Sequence, residues 1–69
     1  MFRAPVTSTS IASVGYDRGR AILEVEFRSG AVYRYYSVPR GLVRSLLDAP
    51  SKGAFLNRRI RDRFRYARL

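Results

Sequence analysis

Sixty-nine residues bound one small domain, which buries only about 60% of the surface its unfolded chain exposes and leaves little depth for an enzymatic cleft. With 46% hydrophobic and 28% charged residues the composition is globular, and a net charge of +9 calls for an acidic partner, a polyanion above all. The absence of Cys and His removes disulfides, thiol chemistry and nearly all zinc sites, so no metal or cofactor is expected, and no apolar run approaches the length of a membrane span.

Residues 1–9 read as a polar lead with Pro5 and a Thr/Ser run, expected to be loose. The lead lacks the apolar segment of a secretory signal, which points to a cytoplasmic protein. Residues 10–69 read as a single domain. Ile11 to Tyr16 is the first strand, Asp17-Arg18-Gly19 supplies turn chemistry, and Ala21 to Phe27 alternates Leu23, Val25 and Phe27 against Glu24 and Glu26. Arg28-Ser29-Gly30 fits a three-residue hairpin loop with Gly30 in the left-handed region, where a missing Cβ removes the steric cost. Ala31 to Tyr36 is the third strand.

That loop length sets Val25 opposite Tyr33, Leu23 opposite Tyr35 and Glu24 opposite Arg34, an opposite-charge pair that supports the register. Tyr33 and Tyr35 then face the core, while Ile22 and Tyr36 lie on the other face. Slipping by one residue would exchange the faces. The first hairpin is open between two registers: a four-residue loop turns Val14 and Tyr16 inward and a three-residue loop turns them outward.

Pro39 suits the start of a helix, where its missing N–H costs nothing, and Leu42, Val43, Leu46 and Leu47 form the apolar face that follows. Pro50 ends this helix by pushing Ala49 out of the helical region, and Ser51 caps the next. Seven of the fourteen cations lie in Ser51 to Leu69. On a helical wheel Leu56, Ile60, Phe64 and Ala67 share one face and Arg58, Arg61, Arg65 and Arg68 the other, so a last helix would pack inward and show a line of guanidinium groups outward. Asp62 follows Arg58 by four residues and is expected to pair with it. The order is βββαα: an α+β domain in which a three-stranded antiparallel meander carries two helices on one face.

Ser10-Ile11 with Gly15-Tyr16-Asp17, then Tyr33-Arg34-Tyr35 leading to Val38-Pro39, then Ala49-Pro50-Ser51-Lys52-Gly53 with Phe55, Asn57, Ile60 and Arg61, resemble the KTSC domain. The resemblance runs from about Ser10 to Arg68. That family takes its name from the C-terminus of some lysyl-tRNA synthetases and also occurs as stand-alone bacterial or phage proteins. The resemblance implies RNA binding, by analogy of context.

Thirteen of the fourteen cations are Arg, whose planar fork suits phosphate and stacks on bases; a high-GC genome is the other source of such a bias. Two tyrosines at i and i+2 resemble an aromatic platform for single-stranded bases, but the register assigns Tyr33 and Tyr35 to the core. Tyr36, beside Arg34 on the open sheet face, is the stacking candidate, and the same exposed patch also suits a protein contact. Ser51-Lys52-Gly53 combines a helix N-terminus, an ammonium and a small residue: a phosphate turn in one reading, a capped joint with room for helix packing in the other. Asn57 sits at the edge of the apolar stripe. The five acids are scattered and flanked by Arg, which holds Glu24 and Glu26 ionised, the wrong state for a general acid, so no catalytic residue is assigned.

The function expected is therefore non-enzymatic. RNA, or nucleic acid without strong sequence choice, is the partner, held by Lys52, Gly53, Arg58, Arg61, Arg65 and Arg68. The alternative is an assembly module that meets an acidic protein through the open sheet face or the basic helix. No membrane partner is expected.

Overall fold

The computed structural model describes residues 1–69 as a five-stranded antiparallel sheet with two helices on one face. The strands are β1 (Ala4–Pro5), β2 (Ile11–Asp17), β3 (Ile22–Phe27), β4 (Val32–Tyr35) and β5 (Tyr66–Arg68), ordered in space as in sequence. The helices α1 (Arg40–Asp48) and α2 (Lys52–Arg59) are inserted between β4 and β5. The α+β layering is as expected, but the three-strand count is not: Ala4 and Pro5 pair with Val14 and Ser13 at one edge, and β5 joins β4 at the other. Both additions satisfy backbone groups that a three-stranded meander would leave open along its two outer strands.

The β3–β4 register follows from its loop. Leu23, Glu24 and Val25 stand opposite Tyr35, Arg34 and Tyr33, and Gly30 takes a φ of 97°. In the first hairpin Asp17 pairs with Ile22, leaving a four-residue loop, so Val14 is buried and Tyr16 packs against the core. Ala21 closes that loop with a φ of 56°, and its carbonyl accepts from Val38 N–H at 2.9 Å. The Tyr16 hydroxyl donates to the Val38 carbonyl, so the turn into α1 is tied to both sides of the first hairpin's loop.

Pro39 precedes α1, its carbonyl accepting from Leu42 and Val43. Ala49 adopts an extended conformation before Pro50, and the Ser51 hydroxyl accepts from Ala54 N–H at 3.3 Å as the cap of α2. Val43, Leu46, Leu56 and Ile60 meet Ile11, Val14, Leu23, Val25, Tyr35 and Val38 in one core. Leu47 lies outside it, 44% exposed.

The last helix is much shorter than its wheel implies. It stops at Arg59; Ile60, at φ −125°, leaves the helical path, and residues 61–64 turn the chain back toward β4. Leu56 and Ile60 are buried and Phe64 packs on the core, so the apolar stripe is real, but Ala67 belongs to a strand opposite Arg34. Asp62 lies beyond the helix and forms no ion pair with Arg58, whose carbonyl instead accepts from Arg63. No helix is long and apolar enough to cross a membrane.

Candidate functional site

The early end of α2 leaves part of the sheet's helix-facing side uncovered, and β5 builds the far wall of the space. Side chains alternate along a strand, so Tyr66 and Arg68 point to the helix side while Ala67 points away. Tyr66 stands directly opposite Tyr35, and Arg68 directly opposite Tyr33. The result is a cleft of about 380 Å³ bounded by Phe27, Tyr33, Tyr35 and Tyr66 from the sheet, Asn57 and Arg61 from the α2 end, and Arg68 from β5.

Its aromatic lining is continuous. The Tyr33 ring stacks on Tyr35 at 6.3 Å between centroids, meets Phe27 edge-on at 5.7 Å, and lies 5.6 Å from Tyr66. Tyr35 is buried to 2% exposure and forms the floor, as expected of a core residue. Burial pushes its hydroxyl pKa up, so the phenol stays neutral. Tyr33, although on the predicted face, is only half-buried and forms a wall of the cleft. The correct register thus delivers one core tyrosine and one that is accessible from the helix side.

The rim is cationic. The Arg68 guanidinium lies 5.9 Å from the Tyr33 ring centroid, a cation–π distance, and Arg61 lies 3.5 Å from Asn57 Oδ1. No carboxylate lines the space. The four arginines expected along one helix are therefore dispersed: Arg58 is on α2, Arg61 and Arg68 face the cleft, and Arg65 lies over the Tyr36 ring at 6.0 Å on the other side of the sheet. Tyr36 is partly buried there, its backbone N–H bonded to the Arg65 carbonyl at 2.9 Å.

Lys52 and Gly53 lie at the other end of α2. Lys52 Nζ donates to the Ala49 carbonyl at 3.2 Å, bracing the turn between the helices, and a Cβ on Gly53 would collide with Ser10 Oγ. Gly53 thus makes room for Ser10 and not for the packing of α1 on α2.

The outer sheet face holds a second charged cluster. Glu24, 3% exposed, accepts from Arg34 Nε at 2.7 Å and from Arg3. Burial pushes the Glu24 carboxyl up, but hydrogen bonds and charge attraction from Arg34 and Arg3 outweigh it and hold the carboxyl below the ordinary glutamate value. Its neighbour Glu26 accepts from the Ser13 hydroxyl at 2.8 Å.

Tyr66 and Phe27 are the cleft residues that sequence reasoning missed. The trace that could have found Tyr66 is its place on the wheel: a helix through residue 69 would set this aromatic off the apolar stripe, whereas a strand gives Phe64, Tyr66 and Arg68 an alternating pattern.

The KTSC domain model matches residues 7–64. A protein of Stutzerimonas stutzeri is 46% identical over 70 residues, spanning 100% of this chain and 99% of its own length. The lysine–tRNA ligase of Nostoc punctiforme is 37% identical over 59 residues, covering 86% of this chain but only 10% of the ligase. The crystal structure of a KTSC domain protein from Yersinia pestis superposes with a TM-score of 0.95 at 35% identity, covering 99% of this chain and 96% of that one. Together with the shared fold, these similarities establish that the chain belongs to the KTSC domain family.

Proposed function

We propose that this protein is a small non-catalytic module that binds RNA, or nucleic acid without a long sequence motif, through the cleft between the end of α2 and β5. The observation that carries this reading is the combination of an open aromatic lining with two guanidinium groups at its rim and no carboxylate. Aromatic faces stack on bases whatever their identity, and arginines hold the flanking phosphates. Arg58, on α2, adds basic surface outside the cleft, and Arg65 adds it on the opposite face of the sheet. Relatives named for a tRNA ligase carry a similar segment, which agrees with a nucleic-acid partner. The expected net charge effect is the same: a chain at +9 gains affinity by releasing counterions from a polyanion.

The test is fluorescence anisotropy with labelled single-stranded RNA, hairpin RNA and duplex DNA, at low and at physiological salt, with polyglutamate as competitor. Arg61→Gln with Arg68→Gln should weaken RNA binding and flatten its salt dependence by about 0.7 to 0.9 log units per lost phosphate contact. Equal displacement of RNA by polyglutamate would transfer the site to an acidic protein partner.

A further inference from the structure

The cleft is more elaborate than phosphate binding requires. Phosphates need cations alone, whereas this space has a buried tyrosine floor, two tyrosine walls and two neutral polar side chains, Ser29 from the β3–β4 loop and Asn57 from α2. Tyr66 is 57% exposed, so a ring face stands open to an incoming planar group. Asn57 carries both a donor and an acceptor, the pair needed to read the edge of a base; its Oδ1 lies 3.5 Å from Arg61, and its amide N–H groups are left for a ligand. The volume of about 380 Å³ is at the small end of ligand pockets, which run to about 1,000 Å³.

From this geometry, and resting on the nucleic-acid reading above, we infer that the cleft is a pocket for one unpaired base. The base stacks on Tyr66 and Tyr33, Asn57 hydrogen-bonds to its edge, and the adjoining phosphates rest on Arg61 and Arg68. A base inside a duplex keeps both faces stacked and its pairing edge occupied, so it cannot enter. The protein accordingly selects single strands, loops or ends over paired helices, with a base preference at one position.

The probes are the four nucleoside 5′-monophosphates and ribose 5-phosphate, followed by NMR, together with single-stranded and hairpin RNA in a binding titration. Nucleoside monophosphates should shift the Tyr33, Tyr66 and Asn57 resonances, while ribose 5-phosphate at the same concentration leaves the rings unmoved. Tyr66→Ala should weaken single-stranded RNA about tenfold or more and Tyr66→Phe should retain binding, since stacking needs the ring and not the hydroxyl. Asn57→Ala, an exposed helix substitution, should level the affinities of the four monophosphates. Circular dichroism confirms that each variant is folded. RNA binding that is indifferent to Tyr66 and Asn57 in folded variants, or that is equal for paired and unpaired RNA, overturns the base pocket and leaves the nucleic-acid reading standing. Failure of every RNA to bind the unaltered protein overturns both.

Discussion

The two faces of the sheet carry the same cationic residue type in opposite states. On the outer face Arg3 and Arg34 converge on the buried carboxylate of Glu24, which offsets one of the two positive charges and ties both guanidinium groups into the fold. On the helix side Arg61 and Arg68 border an aromatic cleft without any carboxylate. An arginine count treats these four residues alike. What distinguishes them is whether the register brings an acid to the neighbouring position: Glu24 stands opposite Arg34, whereas Arg68 stands opposite Tyr33. The four residues thus differ by their neighbours: Arg3 and Arg34 are tied to a carboxylate, whereas Arg61 and Arg68 border aromatic rings.

The largest effect separates floor from wall on the helix side. Tyr35→Ala should cost about 3 to 5 kcal/mol of stability, as for other buried aromatics cut to Ala, and Tyr33→Ala less because that ring is only partly buried. Chemical denaturation checks both. If Tyr33→Ala proved as costly as Tyr35→Ala, the wall would be core and the cleft closed in solution.

The outer face can be made to resemble the inner one. Glu24→Gln should cost about 1 to 3 kcal/mol, since it removes a buried charged acceptor while its two partially exposed arginine partners remain free to reach water. It should also release Arg3 and Arg34 and so increase the salt dependence of RNA binding. Because the folded pKa of Glu24 is depressed, its contribution is full above the ordinary glutamate value and is lost as pH falls through the lower folded value. Acid melts of the parent should show that loss, and Glu24→Gln should not.

Arg34→Gln beside Arg61→Gln tests the contrast at the level of binding. The first should leave RNA affinity nearly unchanged; the second should lower it and reduce the salt slope by about 0.7 to 0.9. Equal losses would mean that charge, irrespective of face, is what the partner meets.

The smallest expected effect is at the far end of α2. Gly53→Ala gains up to about 1 kcal/mol of helix propensity, less in a first turn, but its Cβ meets Ser10 Oγ, which must rotate away. The single variant should lie within about 1 kcal/mol of the parent, and adding Ser10→Ala should recover the helix gain, because Ser10 Cβ at 3.7 Å is an ordinary contact. RNA affinity should not change in either. A weakened Gly53→Ala would place a second anion site at this turn and end the confinement of binding to the cleft.

Local chemistry determined much of this fold. Gly30 and a three-residue loop set the β3–β4 register, and with it which tyrosines face the helices. Pro50 ended α1 and Ser51 began α2 through effects that reach only a few residues along the chain. Those signals sufficed to identify Tyr35 as core and Arg34 as the partner of Glu24. Residues 60–69 were decided elsewhere. Leu56, Ile60 and Phe64 repeat at helical spacing and arginine is a good helix former, so nothing local opposes a helix to the end of the chain. The unpaired edge of β4 does: Arg65, Ala67 and Leu69 complete its hydrogen bonds from about thirty residues away in sequence. The same holds for Ala4 and Pro5 on β2. The alternation of Phe64, Tyr66 and Arg68 is too short to outweigh the helical spacing that leads into it, and so the cleft, whose far wall is Tyr66 and Arg68, exists only once the sheet has closed around it.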